Sequence, residues 1–162
     1  MAKWWWCRER LAMFDIYLTD EAVPESDGNA VYGHIRIEDY AETFIASLAC
    51  WTPAQYEKHW REACQRLIDG RQDSAVICSY VESSLSEFLV WWPLYRDGQV
   101  VHVQNELLIY SQLSKPFSIE DPWSSIRERR IATDDGSAIS EWDTSIQSIH
   151  ELLERKQSAA GM

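Results

Sequence analysis

The hydrophobic positions between Trp51 and Gly70 recur at helical spacing. Tyr56, Trp60, Ala63, Cys64, Leu67 and Ile68 share one face, and Glu57, Lys58, Arg61, Glu62, Gln65 and Arg66 fill the other. Thr52 is a natural N-cap, Pro53 falls at the first helical position, and Gln55 completes a capping box. Gly70 supplies the stop. Such a helix is marginal by itself, so its aromatic face has to cover something, and a sheet is the natural support.

Around this helix the period changes to two. Phe14 to Leu18, Gly33 to Ile37 and Glu42 to Trp51 read as strands, with an acidic loop from Thr19 to Ala30 and a turn at Glu38-Asp39-Tyr40. After Gly70, Ala75 to Val81 is a β-rich run. Phe88 to Tyr95 and Gln99 to Gln104 flank Asp97-Gly98, a strong hairpin signal, and Glu106 to Leu113 extends the meander. Pro93 lacks a ladder donor and therefore predicts an edge strand or a bulge. Trp123 to Arg130 reads as a short helix before the Asp134-Asp135-Gly136 turn, and Ile139 to Thr144 as a last strand. Ile146, Ile149, Leu152 and Leu153 then mark a second amphipathic helix, with Arg155 and Lys156 suited to its C-terminal dipole. The predicted fold class is α+β: one largely antiparallel sheet of about six strands with two main helices packed on it. The expected layout is a poorly defined leader at 1–12 carrying Trp4-Trp5-Trp6, a single domain at 13–157 and a frayed tail at 158–162.

Composition narrows the function. With 162 residues, 46% of them hydrophobic, the chain can bury a real core. No apolar run reaches the length of a membrane span, and Arg8, Glu9 and Arg10 interrupt the opening tryptophans too early for a signal peptide. The four cysteines include no CxxC pair and read as free thiols of a reducing compartment, so a cytoplasmic location is expected. A zinc set of Cys50, His59, Cys64 and Cys78 can be written down, but its spacing matches no familiar pattern, and no metal or cofactor is assigned. The net charge of -11 argues against direct binding to nucleic acid or an anionic membrane. The charge is uneven: Asp15, Asp20, Glu21, Glu25, Asp27, Glu38, Asp39 and Glu42 stand against Arg36 alone between Met13 and Cys50. Such a stretch is either a solvated face or a surface that steers a basic partner.

Catalysis finds little support. His34, His59, His102 and His150 are scattered, and a trio of His102, Asp97 and Ser111 has no nucleophile motif around it. The glycines are spread singly, so no phosphate loop is present. The adjacent Trp91 and Trp92 point to opposite faces of one strand, which offers an exposed aromatic anchor if one face is left open. The chain reads as a binding protein rather than an enzyme.

Taken together, GHIRIEDYAETFIASLACW running into the WTPAQYEKHW helix, then SAVICSY, WWPLYRDGQVVHVQNELL and ISEWDTSIQSIHELLE resemble the immunity proteins of bacterial contact-dependent growth inhibition systems, over about Gly33 to Glu154. One departure is Glu38, where the family pattern suggests glycine before Asp39. The resemblance implies an intracellular inhibitor that binds the C-terminal toxin domain, often a nuclease, of a cognate secreted effector. It carries no catalytic residues and no transferable contact residues. Together with the charge it implies a basic toxin domain docking on Asp20, Glu21, Glu25, Asp27, Glu38, Asp39, Glu42, Asp134 and Asp135, with Trp91 as an aromatic anchor. The alternative is a non-catalytic small-ligand or adaptor domain with an aromatic pocket. Oligomeric state is left open.

Overall fold

The computed structural model describes residues 13–160. The expectation for the leader and its tryptophans falls outside that range. Strands β1 (Phe14–Ala22), β2 (Ala30–Ile37) and β3 (Tyr40–Ser47) form a three-stranded antiparallel sheet in that order. Helix α1 (Pro53–Ile68) follows, then β4 (Asp73–Ser79), β5 (Phe88–Asp97), β6 (Val100–Gln104), β7 (Glu106–Ile109) and β8 (Glu141–Ser145), and last helix α2 (Ile146–Ala160). The second sheet has five strands in the order β4-β5-β6-β8, with β7 also paired to β5. The α+β class stands, with the strands divided between two sheets. α2 runs through Ala160.

Helix α1 begins as its sequence dictates. The Thr52 side chain accepts from the Gln55 amide and the Gln55 side chain accepts from the Thr52 amide. At its other end Gly70 (φ +103) lets the Arg71 and Gly70 amides reach the Arg66 and Leu67 carbonyls, the Schellman arrangement. Between them Tyr56, Trp60, Ala63, Cys64 and Leu67 are wholly buried.

What α1 covers is the open margin of β4. Trp60 Nε1 donates to the Ile77 carbonyl (2.8 Å), and His59 Nε2 accepts from the Ile77 amide (2.9 Å). Arg66 Nε donates to the Asp73 carbonyl (2.8 Å), and the Tyr56 hydroxyl accepts from the Tyr80 amide (2.9 Å) while donating to the Ser47 carbonyl (2.6 Å). Four helix side chains therefore satisfy backbone groups that would otherwise be orphaned at a sheet edge. α2 lies against α1, β1 and β8. Its Lys156 reaches Glu57 (2.8 Å) and sits over the Trp60 ring, and Arg155 donates to the Phe14 carbonyl.

Pro93 does not mark an edge. β5 is central, with β4 along one side and β6 and β7 in succession along the other. β7 pairs with Phe88 to Trp91 and β6 with Leu94 to Asp97, so Pro93 sits opposite the break between them. The missing donor falls where no second ladder needs it. The expected helix at Trp123 to Arg130 is also absent: a 3-10 turn spans Pro122–Ser125 and the chain then runs irregularly. Arg127 and Arg130 instead give their carbonyls to the Tyr95 hydroxyl and Gln104, which strap this segment across the sheet.

Both faces of β5 are covered, which removes the exposed aromatic anchor. Trp91 is 0% and Trp92 1% exposed. Trp91 meets Phe117 edge-on and donates from Nε1 to Glu106 (2.8 Å). Trp92 lies against Trp142, which stacks on Tyr40 at the start of β3. The loop after β7 thus covers one face and the first sheet helps to cover the other. In that sheet, a Cβ at Gly33 would sit 2.4 Å from the ring of its cross-strand partner Phe44. Gly33 lets this ring lie across β2 with its edge toward Trp60.

Candidate interaction surface

Strand pairing splits the acidic stretch in two. Phe14 pairs with Ile37 and Ala22 with Val31, so the β1–β2 loop and the β2–β3 turn lie at opposite ends of the first sheet. Eight residues of strand separate them, about 26 Å at the usual rise. The two acidic groups therefore do not form one contiguous patch.

At the β1–β2 end, Asp20, Glu21, Glu25 and Asp27 are all exposed, and none joins an ion pair among the described residues. Their positions are set by local chemistry. The register shifts between Leu18 and Ala22, so Thr19, Asp20 and Glu21 bulge out opposite Tyr32. The Thr19 hydroxyl holds the bulge by donating to the Tyr32 carbonyl (2.9 Å) and accepting from the Glu21 amide (3.1 Å). Beyond it, Glu25 (φ +67), Asp27 (φ +54) and Gly28 (φ +82) adopt left-handed backbone. Amides of Val23, Ser26 and Asn29 bond to carbonyls of Ala30, Val23 and Ser26 at 3.0 to 3.2 Å, and Asn29 in turn accepts from Leu48. Left-handed glutamate is uncommon and persists only where the surroundings impose it. This end of the sheet therefore presents four carboxylates from a braced loop.

The opposite end uses its carboxylates internally. Glu38 (φ +56) takes the conformation that glycine would take freely, and its side chain is engaged: Oε1 accepts from the Thr144 hydroxyl (2.7 Å) and Oε2 from the Met13 amide (3.2 Å). It ties the first sheet to β8. Glu42 is half-buried and accepts from the Tyr40 hydroxyl (3.3 Å), leaving Asp39 exposed. Asp134 and Asp135 are exposed in a turn closed by an Ala132–Ala138 bridge. Asp134 pairs with Arg130 (3.1 Å), while Asp135 accepts from the Thr133 hydroxyl and the Ser137 amide. The Thr133 bond foremost holds its carboxyl down to about 2. Turn formation accounts for both residues.

No catalytic constellation gathers from the residues singled out in the sequence. His102 stands across the sheet from Asp143, with Nδ1 2.6 Å from Oδ1, and Ser111 lies on the 3-10 turn after β7. That His102–Asp143 pairing joins residues 41 apart in sequence and needs the β6–β8 register to be visible. His59 is buried between Trp51 and Trp123, and burial pushes its imidazole down to about 3, so it is neutral and structural. Burial likewise raises the Cys64 and Cys78 thiols to about 12, and the cysteines form no metal-ligand group among the described residues. A recess of about 210 Å³ beside His59 is lined by Trp51, Gln55, Glu62, Glu120 and Trp123.

The comparisons with known proteins agree with this framework. The profile of the family described as "CdiI N-terminal domain" matches residues 46–152, about two thirds of the chain. The chain belongs to that family. The immunity protein CdiI of Enterobacter cloacae is 29% identical over 137 residues, covering 85% of this chain and 94% of that protein. A solved structure, the CdiA-CT/CdiI toxin and immunity complex from Enterobacter cloacae, superposes with a TM-score of 0.80 at 27% identity, covering 90% of this chain and 99% of the matched one. Membership in an immunity-protein family accords with a binding protein that is not an enzyme. The family span takes in α1, the whole second sheet and the first half of α2. The braced acidic loop lies outside it.

Proposed function

We propose that this protein is the immunity partner of one contact-dependent growth inhibition effector and neutralises that effector's C-terminal toxin domain by binding it in the cytoplasm. Its partner is a basic domain, most simply a nuclease whose cationic cleft would otherwise hold RNA or DNA. The observation that carries this reading is the β1–β2 end of the first sheet. Asp20, Glu21, Glu25 and Asp27 project from a loop held by backbone bonds, with no cation of the described chain engaging them. Preformed carboxylates mimic phosphate charge and need little ordering on binding. Asp39 lies at the far end of the sheet from them, and the half-buried Glu38 and Glu42 carboxylates are engaged in hydrogen bonds within the protein.

The small-ligand alternative has a recess between two tryptophans, Trp51 and Trp123, whose volume of about 210 Å³ falls below the roughly 300–1,000 Å³ of ordinary ligand pockets. Larger recesses, of about 400 to 490 Å³, are lined mostly by polar and charged residues with one aromatic each. The immunity reading is tested with the C-terminal toxin domain of a candidate cognate effector. Stoichiometric capture and rescue of toxin-expressing cells are expected, with rescue weakened when Asp20, Glu21, Glu25 and Asp27 are all changed to lysine. Capture and full rescue by that variant would move the contact elsewhere on the protein. Absence of capture by the wild type would remove the function.

A further inference from the structure

We propose that His102, Glu141 and Asp143 form a site for one divalent cation, zinc being the best match to its donors. The β6–β8 register sets His102 opposite Asp143, and Glu141, two residues before Asp143, projects from the same face of the sheet. One ligand atom from each of the three side chains lies within 4.8 Å of the other two. His102 Nδ1 faces both acids, at 2.6 Å from Asp143 Oδ1 and 3.6 Å from Glu141 Oε1. One imidazole nitrogen and two carboxylate oxygens are a donor set that zinc accepts, with a fourth position left for water.

The surroundings resemble those of a built site. The His102 and Glu141 side chains are only 15% and 18% exposed, whereas that of Asp143 is 62% exposed, so two donors are fixed and the third stands at the entrance. Gln104 Nε2 donates to Glu141 Oε2 (2.7 Å) and orients that carboxylate from behind, the usual work of an outer partner. Arg129 is the competitor. Its guanidinium grips both Glu141 oxygens, at 2.6 and 2.9 Å, and supplies the positive charge that the two acids otherwise lack. An entering cation has to share Glu141 with Arg129 or displace it. Removing Arg129 should therefore strengthen metal binding, an effect opposite to that of removing a ligand.

The test uses the full-length protein, stripped with chelator and titrated with zinc chloride, while calorimetry and the ¹⁵N shifts of the histidine rings are followed. The His102 ring readout separates this site from zinc held by thiols. The expected result is a shift of His102 Nδ1 at one equivalent. Affinity at that site should fall at least about tenfold in His102→Gln and Asp143→Asn and rise in Arg129→Gln. Circular dichroism checks that each variant is folded; should Arg129→Gln not fold, the two ligand variants decide. An unmoved His102 resonance at saturating zinc overturns the proposal, as does binding at His102 that Asp143→Asn leaves unchanged.

Discussion

The two sheets end in margins of opposite character. Along β4 every outward backbone group described above is taken by a helix side chain: Trp60 and His59 on Ile77, Arg66 on Asp73, Tyr56 on Tyr80. At the β1–β2 end the backbone is also satisfied, but by the loop itself, and the side chains are left facing water. The first margin can scarcely be altered without exposing or orphaning a polar group. The second can change its exposed side chains without orphaning a backbone group, although the left-handed positions 25, 27 and 28 restrict which residues fit. On the proposed function the closed margin is the framework and the open margin is the surface matched to a toxin. The family span begins at residue 46, after the acidic loop, and includes the closed margin.

The largest effect is expected at the closed margin. Trp60→Ala deletes a wholly buried indole and the donor to the Ile77 carbonyl, and should destabilise the fold by about 3–5 kcal/mol in urea melts. A loss below about 1 kcal/mol would mean that α1 does not seal β4 as described.

His59 gives the same margin a pH dependence. In the unfolded chain its imidazole takes a proton near pH 6.5, whereas in the folded protein burial delays this to about 3. Between those values the unfolded state binds the extra proton, so the stability present above pH 6.5 is lost as pH falls, with a slope approaching about 1.4 kcal/mol per pH unit. His59→Gln should flatten the slope of stability against pH between about 6.5 and 4. An unchanged slope would show that His59 is not held neutral.

A smaller effect separates strain from bonding at Glu38. Glu38→Ala loses the contacts to Thr144 and Met13 and keeps the left-handed backbone, whereas Glu38→Gly loses the contacts and relieves the backbone. Alanine should be less stable than glycine by about 1 kcal/mol, measured by thermal melts. Equal stabilities would remove the strain from the account.

Much of the framework was legible in the sequence because it is local. Thr52, Pro53, Gln55 and Gly70 bracket α1 within twenty residues of chain, and the hairpin forms around Asp97-Gly98 as expected, with Gly98-Gln99 as its two-residue turn. Features that depend on distant pairing were not legible. Pro93 signals a gap in a ladder, but only the placement of β6 and β7 turns that gap into a break opposite a central strand. Trp91 and Trp92 do point apart, but their burial depends on Phe117 and Trp142, elements that local patterning does not connect to β5. The acidic run reads as one patch because charge counts ignore direction, and the reversal of the chain at each hairpin divides it. For the same reason Glu38 is an internal bracket, and His102 meets Asp143 rather than Asp97.

The least disruptive change is at the open margin. Lysine at positions 20, 21 and 25 should leave stability within about 0.5 kcal/mol per substitution, and at the left-handed position 27 it should cost about 1 kcal/mol. The most direct measurement is the association rate of the protein with its toxin domain across ionic strength, for the wild type and this variant. The account predicts a wild-type rate on the order of 10⁸ M⁻¹s⁻¹ at low salt that falls steeply as salt rises, and a variant at least about tenfold slower with a shallower salt dependence. Equal rates for the two proteins, or a wild-type rate indifferent to salt, would contradict it.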